Sequence, residues 1–206
     1  MLKKNFEFEK EFEELENGRF GKFDNVKYFG IEEDESGELK NQVQVLYYNS
    51  ADDFAIKLET KQEDEVFLCK NPQGKTFNEI YKNMKNQEAK YDGKTYLTEG
   101  ERLKVPNIKM KEKNEIKEVE NYSFLFANGD SYHIEKALQT IEFELDRKGG
   151  KVKSEAAMMV KFESAMLEPE EKREFFVDDT FVIFLKEEDK NVPYFAAKIA
   201  DITKFQ

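Results

Sequence analysis

The sequence predicts an α+β fold made mostly of antiparallel β-sheets with few helices. Short runs of alternating apolar and polar residues, such as residues 54–58 and 141–145, are typical of strands with one buried face. Turn-forming pairs separate these runs, for example Asn49 with Ser50 and Gly149 with Gly150. The clearest helix signal comes from one segment, which begins at Thr76.

The predicted helix starts with a capping box. Thr76 is a favourable N-cap, and Glu79 stands three residues later, where its carboxylate can accept a hydrogen bond from the start of the helix. Phe77, Ile80 and Met84 recur at helical spacing and share one face. We expect this face to pack on a core rather than to contact a cofactor.

Other segments are assigned from their patterns. Residues 103–110 alternate as one strand, and Pro106 places it near a sheet edge or a strand start, because proline lacks a backbone N–H. Residues 181–185 form a continuous apolar run of strand length, so this strand should be covered on both faces and should pair with residues 194–199. Residues 154–167 contain helix formers throughout and, taken alone, predict an amphipathic helix.

The composition indicates one domain, residues 1–206, with a core of large side chains. Only 39% of the residues are hydrophobic, but nineteen are Phe, which is too many for a disordered polyelectrolyte. The chain has 33 Lys and Arg against 44 Asp and Glu, and this net charge of −11 argues against a nucleic-acid partner. No apolar run approaches the roughly 18 residues of a membrane span. We therefore expect no membrane partner and, since no signal peptide is visible, a cytoplasmic location if the chain is complete.

Residues that could support catalysis or bind a metal are scarce. The single cysteine, Cys69, excludes an intramolecular disulfide, and the single histidine, His133, excludes a multi-histidine metal site. The chain has no Gly-rich phosphate loop. The acidic pairs at 52–53 and 178–179 lack the alternation of a calcium loop and are predicted to lie on the surface. We predict no cofactor, no metal and no enzymatic activity, although a carboxylate pair that meets only in space stays open.

Four motifs occur in order in the last third of the chain. They are the strand and glycine pair at 134–150, the sequence Ser154-Glu155-Ala156-Ala157, the Phe-x-x-Asp segment at 175–184 and the Pro-x-Phe ending at 193–199. From about residue 134 to residue 205 they resemble the C-terminal part of the serpins, the family of serine protease inhibitors. Weaker matches continue upstream, so the resemblance covers nearly the whole chain but only the C-terminal half of a serpin.

This resemblance implies a reactive-centre loop at residues 150–174. Two groups of residues would form its hinge and the bond that a protease attacks: Gly149, Gly150, Ser154, Glu155, Ala156 and Ala157, and Leu167 with Glu168. A serpin traps a protease when its cleaved loop inserts as a new strand into the main sheet. Insertion needs a strand on each side. Here we expect the strand that ends near Asp146, and we expect its counterpart on the far side to be missing.

The sequence therefore predicts a non-catalytic, serpin-like protein-binding module that lacks the N-terminal half of the fold. The alternative is a protease inhibitor that uses residues 150–174 as bait, with Leu167–Glu168 as the scissile bond. The expected partner is a protein or a protease. A homodimer through an exposed sheet edge is a further expectation, because an open edge can accept another strand.

Overall fold

A computed structural model describes residues 5–32, 37–115, 117, 122–129, 131–133, 138–150 and 172–206. Within these residues the chain forms short strands and one α-helix, α1 (Phe77–Glu88). The strands are β1 (Phe6–Glu7), β2 (Glu13–Phe20), β3 (Phe23–Ile31), β4 (Val43–Ser50), β5 (Asp53–Leu58), β6 (Asp64–Lys70), β7 (Arg102–Pro106), β8 (Ile108–Glu115), β9 (Ser123–Leu125), β10 (Ser131–His133), β11 (Leu138–Leu145), β12 (Gly149–Gly150), β13 (Glu174–Phe176), β14 (Phe181–Glu187) and β15 (Phe195–Ile199).

A five-stranded antiparallel sheet has the order β15-β14-β6-β5-β4. Within it β14 lies between β6 and β15, and its residues 181–186 are buried. This confirms that the apolar run at 181–185 is covered on both faces and that it pairs with residues 195–199.

Helix α1 begins at the predicted capping box and packs on the five-stranded sheet. The Glu79 amide donates to Thr76 Oγ1 at 3.2 Å, and Glu79 Oε2 accepts from the Lys75 amide at 2.8 Å. Ile80 and Met84 are buried in a cluster with side chains of the sheet, and the Tyr81 ring lies edge-on to Phe184 at 5.3 Å. The predicted core-packing face is confirmed at Ile80 and Met84, whereas Phe77 is 44% exposed.

The predicted single strand at 103–110 is two strands in two sheets. Strand β7 belongs to a four-stranded sheet of order β13-β7-β3-β2, in which β13 and β7 are parallel. Strand β8 pairs instead with β11. Asn107 separates them, and its amide donates to the Lys27 carbonyl at 2.9 Å. The expectation of a single strand with Pro106 near a sheet edge or a strand start was wrong, because β7 is an inner strand and Pro106 is its last residue.

The core is filled with aromatic side chains, as the composition predicts. The largest fully buried side chains are Tyr28, Tyr47, Phe8, Phe12, Phe20, Phe29, Phe54, Phe67, Phe175, Phe181, Phe184 and Ile31. In the described ranges, one α-helix and mostly antiparallel sheets make the fold α+β, as expected. Within the described part of the chain, no helix is both long and apolar enough to cross a membrane.

Candidate functional site

The first predicted hinge glycine, Gly149, lies between β1 and Asp146, the residue after β11, and Gly150 also pairs with β1. On one side the Gly149 amide donates to the Asp146 carbonyl at 3.1 Å, and the Asp146 amide donates to the Gly149 carbonyl at 3.3 Å. On the other side β12 pairs with β1, with Phe6 opposite Gly150 and Glu7 opposite Gly149. The chain therefore reverses after β11 and starts back between β1 and the end of β11.

Local chemistry explains this reversal. The Lys148 amide donates to Asp146 Oδ1 at 2.8 Å, which is a side-chain hydrogen bond typical of turns. Gly149 has φ of 112°, which side-chain-bearing residues rarely adopt, and a Cβ there would lie 2.5 Å from the Phe6 carbonyl oxygen. The Asp-x-x-Gly spacing at 146–149 is a local sequence signal that predicts this turn.

The N-terminal segment holds the turn in place. The Phe8 amide donates to the Lys148 carbonyl at 3.1 Å, and the Phe12 amide donates to the Arg147 carbonyl at 2.9 Å. The two Phe rings are buried and contact each other edge-on at 4.9 Å. The expectation that no strand lies on the far side was wrong at the hinge, because β1 occupies that position over two residues.

At the other end of residues 150–174, Arg173 fixes the chain where it re-enters the fold. Its side chain is 14% exposed and donates five hydrogen bonds. Nε and Nη2 reach the two Glu101 carboxylate oxygens at 2.7 and 3.0 Å. Nη1 and Nη2 reach the Tyr91 hydroxyl, the Lys94 carbonyl and the Tyr96 carbonyl at 2.8–2.9 Å. The start of β13 is thus tied to the loop between α1 and β7.

The Arg173–Glu101 pair is electrostatically matched. Burial alone would raise the pKa of Glu101, but hydrogen bonds from the Arg173 guanidinium and the Thr98 amide outweigh it and lower that pKa. The pKa of Arg173 is raised, because the hydrogen bonds and charge of Glu101 outweigh the burial that opposes them. Both groups are therefore charged at neutral pH. Sequence reasoning missed this pair because its members are 72 residues apart.

A buried lysine connects the Phe-x-x-Asp segment to the five-stranded sheet. Lys70 Nζ lies 2.6 Å from Asp178 Oδ1 and 3.1 Å from Asp52 Oδ1, and it donates to the Ala51 carbonyl at 2.9 Å. The Asp178 carbonyl accepts from the Gly21 amide at 2.6 Å. Asp52 and Asp178 are 83% and 41% exposed, so they lie on the surface as expected, and each also forms an ion pair with this buried lysine.

The other predicted site residues lie outside the described residues. They are Ser154, Glu155, Ala156, Ala157, Leu167 and Glu168. Cys69 is described, and it is buried against Tyr47 with 3.2 Å between Sγ and the hydroxyl oxygen. Burial raises the pKa of the Cys69 thiol to about 11, so it is almost entirely protonated at neutral pH.

A cleft of about 450 Å³ lies against the four-stranded sheet, beside β2, β7 and Phe176. Its two basic side chains already have partners in the protein. Arg102 forms an ion pair with Glu174 and lies over the Phe176 ring, and Lys104 Nζ lies 4.4 Å from the centre of the Tyr28 ring. Within the described ranges, no three His, Cys, Asp or Glu residues are placed to hold a metal ion.

Comparison with solved structures identifies the fold. Human kallistatin matches with a TM-score of 0.62 at 13% identity, over 95% of this chain and 53% of its own. Human thyroxine-binding globulin in complex with thyroxine matches with a TM-score of 0.55 at 12% identity, over 96% of this chain and 52% of its own. Serpin48 of the insect Tenebrio molitor matches with a TM-score of 0.52 at 15% identity, over 94% and 52%.

These matches confirm the resemblance in three dimensions. The chain has the fold of the C-terminal half of a serpin and spans about half the length of the serpins it matches. No protein-family profile matches the sequence, and no curated protein sequence matches it. At identities of 12–15% the likeness establishes the fold alone.

Proposed function

We propose that the chain is one serpin-like domain, residues 1–206, which acts as a non-catalytic protein-binding module and presents residues 150–174 to a protein partner. One observation carries the proposal: both ends of this segment are fixed to the same fold. Gly149 is held between β1 and Asp146, and Arg173 is held by Glu101 and Tyr91. A segment tied at both ends loses less conformational entropy on binding than a free tail does.

The chemistry of the described residues supports a non-catalytic role. A nucleophilic cysteine needs an accessible thiolate, and the buried Cys69 thiol has a raised pKa of about 11. The two basic side chains of the cleft on the four-stranded sheet, Arg102 and Lys104, are engaged with other groups of the protein.

Site-specific photocrosslinking tests the binding proposal. A photoreactive amino acid at Leu167 should give discrete adducts in a lysate of the source cells. The same group at Tyr96, an exposed position on the loop between α1 and β7, should not give them. Excess unlabelled wild-type protein should compete with the crosslinking protein and reduce these adducts. A variant in which residues 151–171 are replaced by a Gly/Ser linker of equal length should not reduce them. Identical adducts from both positions, or none from Leu167, would contradict the proposal.

A second function, protease inhibition, is favoured by the reversal at Gly149. Because Gly149 already pairs with Glu7 of β1 on one side and with Asp146, the residue after β11, on the other, a strand that continued from it would start between these two segments. In this alternative a protease cuts the Leu167–Glu168 bond, and the freed residues Ser154, Glu155, Ala156 and Ala157 insert first.

A protease panel separates the two functions. If the chain traps proteases, it should form an adduct with at least one serine or cysteine protease, and this adduct should survive SDS. Glu168→Pro should prevent cleavage and remove the adduct, because proline after the scissile bond blocks most such enzymes. Ala157→Glu should allow cleavage but remove the adduct, because a buried charge opposes insertion. Cleavage of the wild type between residues 160 and 170, with no adduct and no gain in thermal stability, would exclude trapping.

A further inference from the structure

The cleft on the four-stranded sheet contains a lysine ammonium group without an anionic partner. Leu103 and Val105 of β7 are buried in the core, so the alternating residues Arg102 and Lys104 project from the opposite face into the cleft. Lys104 Nζ lies 4.4 Å from the centre of the Tyr28 ring. Within the described part of the chain, it forms neither a hydrogen bond nor an ion pair. A ring face attracts a cation, but it leaves the positive charge unneutralised.

The buried lysines of the protein differ from Lys104 in this respect. The side chains of Lys57, Lys70 and Lys186 are 16%, 3% and 10% exposed, and each forms an ion pair with a carboxylate. Lys104 is half-buried and has no such pair among the described residues, in a chain with 44 acidic residues. Partial burial of an unpaired charge is unfavourable, so an anion bound at this position is stabilised more than one at a fully exposed lysine.

Strand β2 is shaped to admit this ammonium group. The pairing of β2 with β3 shifts register between Leu15 and Gly18, and again between Gly18 and Phe20. A Cβ on Gly18 would lie 2.5 Å from Lys104 Nζ, so the ammonium occupies space that a side chain at this position would take. Lys104 Nζ is therefore held between the face of the Tyr28 ring and a point of β2 that carries no side chain.

Apolar side chains form two walls of the same cleft. Leu15 of β2 also packs against the hydrophobic core, and Phe176 of β13 carries the Arg102 guanidinium over its ring at 5.1 Å. Ligand sites typically combine such apolar walls with a small number of polar groups that fix the ligand's orientation. The lining therefore suits a ligand with an apolar body and one anionic end.

The charges of the cleft favour a single negative charge. Arg102 forms ion pairs with Glu174 and Glu32, so its charge is already offset. Glu16 and Glu32 line the cleft as well, and their carboxylates would repel a phosphate dianion or a polyanion. One carboxylate matches the unpaired ammonium of Lys104 without adding a second negative charge beside these residues.

We infer that this cleft binds a small monocarboxylate with an apolar body. The carboxylate accepts hydrogen bonds from Lys104 Nζ, and the apolar part lies between Leu15 and Phe176. The volume of about 450 Å³ is within the range of small-molecule sites, roughly 300–1,000 Å³. This inference goes beyond the proposed function, because its ligand is a small molecule and its contacts do not involve a protein partner.

Titration of the ¹⁵N-labelled chain with 3-phenylpropionate, followed by NMR, tests the inference. For a ligand of this size we expect saturable amide shifts at Gly18 and Lys104, with a dissociation constant of about 1–10 mM. The uncharged 3-phenylpropionamide should bind at least about tenfold more weakly, because it lacks the anion. The peptide acetyl-Ala-Ala-Phe, with a free C-terminus, distinguishes a chain end from a free acid. Binding of the peptide alone, or no saturable shift with either, would overturn the inference.

Three variants locate the site. Lys104→Met should weaken binding of 3-phenylpropionate at least about tenfold, because it removes the ammonium. Gly18→Ala keeps the net charge but displaces Lys104 Nζ, and it should weaken binding at least about threefold. Lys109→Met removes an exposed lysine outside the cleft and should leave the constant within about twofold. The same spectra show whether each variant is folded. Equal binding of acid and amide, or full affinity in Lys104→Met or Gly18→Ala, would contradict the assignment.

Discussion

Removing the Arg173 guanidinium should strongly destabilise the fold. Arg173→Met keeps a side chain of similar length but leaves Glu101, which is 4% exposed, as an uncompensated buried charge. Breaking a buried pair in this way typically costs about 3–5 kcal/mol. For a chain of this size that loss corresponds to a fall in Tm of about 6–20 °C. The loss in free energy of unfolding is measured by urea denaturation. Far-UV circular dichroism monitors the unfolding, because the chain has no tryptophan.

Two matched variants isolate the cause of this loss. Arg19→Met removes the same chemical group from an exposed pair, Arg19 Nε to Asp24 Oδ1 at 3.1 Å, and should change the free energy of unfolding by less than about 1 kcal/mol. Arg173→Met combined with Glu101→Leu should be more stable than Arg173→Met alone, because the buried charge is removed. If Arg173→Met costs no more than Arg19→Met, our account of the loop's C-terminal anchor is wrong.

The Arg173–Glu101 pair also predicts how the destabilisation caused by Arg173→Met depends on pH. The folded pKa of Glu101 is lowered, so its contribution is fully present above the unfolded value of about 4.3 and is lost as pH falls through the lower folded value. In Arg173→Met, burial instead favours the protonated carboxyl. The difference in stability between wild type and variant should therefore be constant from about pH 6 to 8 and should narrow below about pH 5. A difference that widens in acid would refute this reasoning.

Three further predictions concern other described residues. Gly149→Ala should cost about 2–4 kcal/mol, measured by urea unfolding, because it adds a backbone clash to an unfavourable φ. Gly37→Ala, at φ of 71° with open space around it, should cost only about 1–2 kcal/mol, and equal losses would contradict the clash. Lys70→Met should cost about 1–3 kcal/mol in the same assay, because Asp178 and the Ala51 carbonyl lose a donor; an unchanged midpoint would be inconsistent with this. Cys69 should react with a thiol reagent at pH 8 only as fast as the protein unfolds, so labelling within the mixing time would disprove its burial.

Local chemistry explains which parts of the fold the sequence could predict. The α1 capping box works through residues three positions apart, and the strand at 181–185 is defined by its own apolar run. The division at Asn107 has no such local signal. It depends on contacts with residues nearly a hundred positions away, where the Lys109 amide donates to the Phe205 carbonyl at 2.6 Å and Gln206 Nε2 donates to the Asn107 carbonyl at 2.5 Å.

The candidate site also contains parts that the sequence could predict and parts that it could not. Family resemblance located Gly149 and Gly150, but the position of β1 beside them follows from backbone hydrogen bonds between residues 6–12 and 147–150. The Arg173 anchor was not predictable, since neither Glu101 nor Tyr91 carries a spacing that points to it. Ser154 to Ala157 and the Leu167–Glu168 bond lie outside the described residues and remain predictions.

The internal position of β14 has a practical consequence for every proteolysis experiment above. A nick between residues 151 and 171 divides the chain covalently, but residues 172–206 still supply β14 between β6 and β15. The two fragments should therefore co-migrate on a native column and separate only under denaturing conditions. Expressed from two genes, they should reassemble by fragment complementation, with β14 restoring the interrupted ladder.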